Sequence, residues 1–336
     1  MIGMKYRLRI TILFSFVTVG ILFAQDAPKL DFRLGGTVQA WTTFGQVNNA
    51  DTNSLGWGIR RARLRAYANY GKKVKGFIQV EAASPKLIDA RVEFLISKSF
   101  SVRAGRFVGA SVRSGALTSH TKLDITERSL TAMEWAKATV GGDYRDYGID
   151  FVGKFGDIKA NVTFHNGSGS LNIKNSHKGH SYMNNGFAVS GMIVYKPQVV
   201  KGLETGAYYG VGNPNINEYN AYNAYVYYTA NPFKFKAEYI AWTNTINNTD
   251  ISQLGYHLFT GYRVAEFWEV GVRYEHFDSN TNIENNERNL ITLGLTYSVF
   301  PQKWNAGKIT AAYVISGETG TVVDDNVFQL TMQVVF

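Results

Sequence analysis

The chain has 336 residues, of which 45% are hydrophobic, 14% aromatic and only 18% charged, with 33 glycines and no cysteine. That composition is too aromatic and too weakly charged for a disordered chain, and it excludes a disulfide scaffold or a cysteine-ligated metal. The formal charge of +9 favours anionic partners, but only the placement of the charges can say which.

In chain order, the first feature is an address. Lys5, Arg7 and Arg9 precede an apolar run over 10–23, and Ala24-Gln25 opens a polar stretch. This is the layout of a secretory signal peptide over 1–24, leaving 25–336 as one mature unit with a net charge of +6. The apolar run, about 14 residues, falls short of the roughly 20 that a spanning helix needs.

From residue 31 onward the chain breaks into segments of about 8 to 12 residues with period-two patterning. Strands are expected at 31–42, 58–70, 74–82, 88–96, 100–108, 146–155, 158–165 and 187–195. Eight more follow at 203–211, 221–229, 233–243, 254–262, 267–277, 290–300, 307–315 and 326–336. In 74–82, Val74, Ile78 and Val80 oppose Lys75, Gln79 and Glu81; in 88–96, Ile88, Val92 and Phe94 oppose Asp89, Arg91 and Glu93. Short links such as Gly71-Lys72-Lys73 alternate with long ones at 43–57, 109–145, 166–186 and 278–289, and nothing between has a sustained helical period.

About 16 strands with short turns on one side and long loops on the other predict an all-β fold, a transmembrane antiparallel β-barrel. A secreted β-sandwich is the soluble alternative. Three features count against it. Aromatics gather at segment ends, among them Tyr70, Phe100, Phe155, Tyr195 and Phe267, as an interfacial girdle requires. The second face mixes glycine and small polar groups with charges, which suits a wet interior. The chain stops on Phe328, Leu330, Met332, Val334 and Phe336, which resembles the terminal recognition signal of bacterial outer-membrane barrels. Outer-membrane lipid is then the expected surroundings, and the barrel assembly machinery, reading Phe336, an expected partner.

Arg61, Arg63 and Arg65 share one face of the second segment, about 6.6 Å apart at a strand rise near 3.3 Å per residue. An arginine facing mid-bilayer costs about 2 to 4 kcal/mol, so the row is expected to face the lumen, with Arg60 on the apolar face at the membrane edge. Two readings follow for the row: wall braces paired with Glu81, Asp89 and Glu93, or a ladder for passing anions. Over the whole barrel the inward charges carry a modest positive excess, which a narrow low-dielectric channel would focus.

The longest connection, 109–145, holds Arg113, His120, Lys122, Arg128 and Lys137 beside Asp124, Glu127, Glu134 and Asp143. Its apolar anchors Leu117, Leu123, Ile125, Leu130, Met133 and Trp135 suit packing inside a barrel, where it would narrow the pore; an external solvated loop is the other reading.

Several stretches resemble the phosphate-selective porin O and P family. They are Arg60-Arg61-Ala62-Arg63-Leu64, Asp89-Ala90-Arg91-Val92-Glu93, Val102-Arg103-Ala104-Gly105-Arg106-Phe107, Glu127-Arg128-Ser129-Leu130, Asp146-Tyr147-Gly148-Ile149 and Asn166-Gly167-Ser168-Gly169. They occur in the family's order and cover roughly 55–170. The resemblance implies a 16-stranded, homotrimeric outer-membrane channel for phosphate, polyphosphate or similar small anions, with an inward-folded third loop. It carries over Arg61, Arg63, Arg103 and Arg128 as lining or loop-anchoring residues. Arg65, Arg113, Lys122 and Lys137 join them as pore-lining candidates by position and charge. This chain departs from the family in mixing acids with bases in the third loop and in lacking a dense lysine cluster.

A non-selective general porin and a structural or adhesive barrel are the alternatives for function, the latter showing no conductance when reconstituted. An enzyme is not expected. His177-Lys178-Gly179-His180 lies in a polar loop without nearby cysteines, and no serine motif accompanies His165, His257 or His276. No P-loop or Rossmann fingerprint is present, so no cofactor is implied, and the export signal disfavours nucleic acid as a partner.

Overall fold

A computed structural model describes residues 29–47, 50–167, 187–214, 216–319 and 325–336. The proposed signal peptide, His177, His180, Ser168 and Gly169 lie outside the described residues. The described chain forms β1 (Leu30–Val47), β2 (Ala50–Tyr70), β3 (Val74–Glu81), β4 (Lys86–Leu95), β5 (Phe100–Phe107), β6 (Asp146–Phe155), β7 (Ile158–His165) and β8 (Ala188–Tyr195). It continues through β9 (Leu203–Asn213), β10 (Asn217–Ala230), β11 (Phe233–Ile246), β12 (Thr249–Ala265), β13 (Trp268–Asp278), β14 (Glu287–Ser298), β15 (Gly307–Glu318) and β16 (Val327–Val335). One α-helix, α1 (Leu130–Ala138), interrupts the strands between β5 and β6.

Each strand pairs antiparallel with its neighbours in sequence, and β1 closes on β16 from Thr37↔Val335 to Gly45↔Val327, so the sheet is a closed 16-strand barrel. Closure removes the edges that would otherwise leave backbone groups unpaired in lipid. No helix of the described residues is long and apolar enough to cross a membrane. Their outer faces are apolar: Leu34, Trp57, Leu64, Ile78, Val272 and Leu293 are all exposed. The alternation is clean in β10, where Asn223, Tyr225 and Tyr227 are buried while Tyr222, Val226 and Tyr228 are exposed.

Three expectations need correction. The stretch 43–57, read as a long loop, is mostly strand, because β1 and β2 pair from Leu30↔Tyr70 up to Val47↔Ala50. Likewise β11 and β12 meet through Asn247 and Asn248 alone, at φ 52° and 62°, values that asparagine tolerates in a tight hairpin. Ile88, read as facing lipid, is fully buried. It is the extra residue where pairing jumps from Gln79↔Asp89 to Val80↔Leu87, and such a bulge re-aims side chains. The absence of a helix was also wrong. Alanine-rich 130–138 is helical, with Ser129 capping it through the Ala132 N–H at 3.4 Å.

The seam is locked at the carboxyl end. Gly36 N–H donates to the Phe336 carbonyl at 2.7 Å, and Phe336 N–H donates to the Gly36 carbonyl at 3.2 Å. A Cβ on Gly36 would stand 2.4 Å from the Phe336 ring, so glycine is what lets the ring lie on β1. Deleting Phe336 should therefore lower the yield of folded, heat-modifiable barrel while export continues. Equal amounts of membrane-embedded protein with and without it would show the contact to be dispensable.

Candidate functional site

The inner face of β2 is a descending row. Arg61, Arg63, Arg65 and Tyr67 alternate along it, and across the ladder Arg63 stands opposite Glu81, Arg65 opposite Gln79, and Tyr67 opposite Phe77 on β3. The ladder continues to β4, with Gln79 opposite Asp89 and Phe77 opposite Arg91, and then to β5, with Glu93 opposite Arg103. These strands and the 108–145 connection enclose a cavity of about 630 Å³.

Its lining is strongly cationic. Strand β2 contributes Arg60, Arg61, Arg63 and Arg65; β4 and β5 contribute Lys86, Arg91 and Arg103; the connection contributes Arg128 and Arg145. Against these nine cations stand three carboxylates, Glu81, Asp89 and Asp143. Arg63 pairs with Glu81 at 2.9 Å and Arg145 with Asp89 at 3.1 Å, while Arg103 donates to the neighbouring inner-face Asp150 of β6 at 2.9 Å. Arg61 donates to Gln39 at 2.9 Å, and Arg65 to Gln79 and Thr37, each at 2.8 Å. Thus Arg61, Arg65, Lys86, Arg91 and Arg128 carry no ion pair among the described residues. Two guanidinium groups about 6.6 Å apart repel by roughly 2.5 kcal/mol at an effective dielectric near 20, so an entering anion relieves a standing repulsion.

Arg60 does not sit on the apolar outer face but lines the cavity. Register jumps from Gln39↔Arg61 to Ala40↔Ile59, which leaves Arg60 as the bulged residue. Its guanidinium lies 5.0 Å from the Trp41 ring, and its Nε donates to Glu127 of the connection at 2.5 Å.

His120, in a short 3-10 turn over His120–Lys122, sits between two arginines. Its Nδ1 is 3.0 Å from Arg63 and its Nε2 3.1 Å from Arg65. Burial, reinforced by Arg63, Arg61 and Arg65, pushes its pKa far below the ordinary histidine value. The ring is therefore neutral at physiological pH, and a neutral imidazole accepts on one nitrogen only, so it can satisfy only one of the two guanidinium groups.

The connection is bonded to inner-face side chains around the barrel. Glu238 on β11 accepts the backbone N–H groups of Arg113 and Ser114 at 2.7 and 2.8 Å. Glu275 on β13 accepts the Leu130 N–H at 2.6 Å, a carboxylate at the amino end of α1 where the helix dipole favours it. Lys308 on β15 donates to Leu123 O, Gln39 on β1 to His120 O and Gln333 on β16 to Thr121 O. On the other side, Trp135 of α1 packs edge-on against Tyr208 at 5.6 Å, within an apolar cluster that includes Met192, Tyr219, Ile240 and Trp242.

The sequence matches the Gram-negative porin family over residues 13–327. The chain belongs to the Gram-negative porins. As such it is an outer-membrane channel, and the closed barrel is its wall. Among curated proteins none is similar enough in sequence to count as a match. Among solved structures, this porin is similar to an anion-selective porin from Comamonas acidovorans, at 15% identity and TM-score 0.68 over 92% of this chain and 100% of that one. It is also similar to Salmonella typhi OmpF in complex with daunomycin, at 14% identity and TM-score 0.66 over 94% and 99%. A third is the trimer form of in-vitro folded OmpT of Vibrio cholerae, at 13% and 0.63 over 93% and 100%. At these identities the likeness is one of fold.

Of the residues singled out from sequence, this porin brings Arg61, Arg63, Arg65, Arg103 and Arg128 to one cavity. The other three stand apart from it. Arg113 is held by Glu204 on β9 at 2.6 Å. Lys122 is exposed, and Lys137 faces solvent in an i,i+3 pair with Glu134. Four lining cations were not among the candidates: Arg91, which strand alternation already turns inward, and Arg60, Arg145 and Lys86. A bulge, a loop fold and the short 82–85 turn place the last three, and none of these has a period in sequence.

Beside the cavity, His165 lies 2.9 Å from Asp146 and 3.5 Å from the Ser190 hydroxyl. The order imitates a hydrolase triad, but the adjoining cavity of about 10 Å³ has room for one water and no substrate. Among the described residues no group of three His, Cys, Asp or Glu side chains could hold a metal ion.

Asp124 supports a pH prediction. Burial raises its pKa, but Lys236 and Lys234 more than offset this and hold it at about 2. A depressed carboxylate contributes stability that is fully present above its unfolded value near ~3.9 and is lost as pH falls through about 2. Conductance of the wild type should thus be insensitive to this group down to about pH 4. Lys236→Gln removes a counter-charge and leaves the burial, so the variant's conductance should become acid-sensitive above about pH 4. Superimposable conductance–pH curves for the two proteins would exclude Asp124 as an acid-resistant anchor.

Proposed function

We propose that this porin is a passive channel selective for small anions, phosphate-like oxyanions among them, and that it works as a homotrimer in outer-membrane lipid. The observation that carries the reading is the cavity, whose nine cations face three carboxylates and whose Arg61, Arg65, Arg91 and Arg128 lack ion-pair partners among the described residues. The 108–145 connection lies across the lumen in this reading and forms the constriction; its bonds to Gln39, Glu238, Glu275, Lys308 and Gln333 support that placement. A narrowed path matters because screening acts over about 8 Å at physiological salt, so wall charge governs a thin passage and not a wide one.

The opposite wall is close to neutral. Lys234 pairs with Glu269, Arg273 with Glu275 and Arg113 with Glu204, so selectivity is assigned to the β2–β5 side. The anion selectivity named for the Comamonas acidovorans porin and the trimer named for Vibrio cholerae OmpT agree with this reading. Export through residues 1–24 and recognition of Phe336 by the assembly machinery complete it.

Zero-current potential across a planar bilayer with a KCl gradient is the test. Anion preference supports the reading. Conductance without preference would make the protein a general porin, and a correctly folded barrel without conductance would make it structural.

A further inference from the structure

The cavity has an aromatic floor that inorganic anions do not use. Tyr67 and Phe77 line it directly below Arg65, their ring centroids 4.9 Å apart with planes inclined at 37°. On the far side of Phe77, across the β3–β4 ladder, the Arg91 guanidinium lies 4.8 Å from the ring centroid. Arg91 makes no hydrogen bond or ion pair among the described residues, so its N–H groups stay available to the cavity. Arg65 spends Nε on Gln79 and Nη2 on Thr37, which leaves Nη1 without a hydrogen bond among the described residues.

We propose that this corner of the cavity is a subsite for aromatic carboxylates. The carboxylate takes the N–H groups of Arg65 Nη1, with the Arg91 guanidinium adding a second positive charge across Phe77, and the ligand ring lies against the Tyr67–Phe77 pair. Guanidinium binds carboxylate through paired, charge-assisted hydrogen bonds, and aromatic rings favour offset or tilted contact at centroid distances of about 4.5 to 7 Å. On one strand face, positions two apart are about 6.6 Å apart, so a ligand whose ring touches Tyr67 brings a carboxylate attached to that ring within reach of Arg65. Chloride and phosphate meet only the cationic half of this arrangement; an aliphatic ring meets both halves but without the quadrupole contact. The proposal rests on the anion-channel reading and names a substrate class for it.

The test compares block of chloride current by sodium benzoate and by sodium cyclohexanecarboxylate, which have the same charge and a similar size but differ in ring chemistry. For the wild-type protein in planar bilayers, benzoate should block at a concentration about two- to tenfold lower than cyclohexanecarboxylate. In the double variant Tyr67→Leu, Phe77→Leu the ratio should fall to about one, as loss of the ring contact predicts. Equal potency in the wild type, or a ratio that survives in the double variant, overturns the subsite. The wild-type comparison stands alone should the variant fail to fold. The zero-current potential in the KCl gradient, read on the same channels, separates the two ideas. Anion preference with equal block sinks only the aromatic subsite, whereas lack of anion preference removes the channel reading beneath it.

Discussion

Replacing Arg61, Arg63 and Arg65 together with Gln should move the zero-current potential in a KCl gradient toward cation preference and weaken block of chloride current by added phosphate. The three supply a third of the cations lining the cavity, and only Arg63 has a carboxylate partner, Glu81. Their loss would leave Glu81 without its guanidinium and cut the lining from nine cations to six against the same three carboxylates. A charge about 4 Å from a passing ion contributes roughly 4 kcal/mol at an effective dielectric near 20, against roughly 1 in water. Even a fraction of that, spread over three sites, changes an anion-to-cation permeability ratio by about tenfold or more. Wild-type potential and wild-type phosphate block in the triple variant would mean that the row braces the wall, with transport selectivity set elsewhere. A useful control is Lys137→Gln, since Lys137 is exposed and stands apart from the cavity; its potential should stay at the wild-type value.

Replacing residues 116–138 with a short Gly-Ser linker should enlarge single-channel conductance severalfold while the barrel still forms. The strands pair with one another and not through the connection, so their ladder survives the deletion. What disappears is α1 with its buried Trp135, together with the backbone carbonyls held by Lys308, Gln39 and Gln333. The cost is real. A hydrogen bond to a charged partner contributes about 1.5 to 3 kcal/mol, and the deletion leaves Glu275 and Lys308 on the inner wall without the connection's partners. Water entering the cleared lumen offsets much of that by solvating them. Unchanged conductance in a folded deletion variant would place the connection outside the ion path. A smaller conductance would point to collapse of the wall.

Strand faces were legible because period two survives wherever one face meets lipid, as in 74–82 and 88–96. The outlook of particular side chains was less so. Arg60 and Ile88 are bulge residues, and a bulge depends on the register between two strands that neither strand's own sequence fixes. Arg106 reads as outward by alternation from Arg103. Gly105, at φ 124°, breaks that alternation, and Arg106 is buried, bonded to Leu87 O and Asp143. Only glycine tolerates the site, since a Cβ there would meet Ala90 O at 2.1 Å. Helix α1 escaped notice because it is buried on most sides, with Glu134 and Lys137 turned outward, and so carries no apolar stripe. Inward tyrosines were hidden for the same reason. Tyr219, Tyr225 and Tyr227 look like lipid-facing residues until α1 and the connection are there to cover them. The arginine row, by contrast, was readable from energetics alone, because lipid admits no other orientation for three consecutive same-face charges.

Bonds from a single connection reach Gln39 on β1, Asp89 on β4, Glu204 on β9, Glu238 on β11, Glu275 on β13, Lys308 on β15 and Gln333 on β16. Mechanically, these are spokes. A hollow tube of sixteen strands is stiff along its axis but soft to ovalisation, since flattening needs only small changes in the angle between neighbouring strands. Spokes fastened at well-separated points of the rim turn that soft mode into compression and extension of hydrogen bonds, and so resist the sideways squeeze that a bilayer exerts on anything embedded in it. The cross-section would then hold its shape as lipid composition and lateral pressure change, and the spacing between the arginine wall and the residues facing it would hold with it.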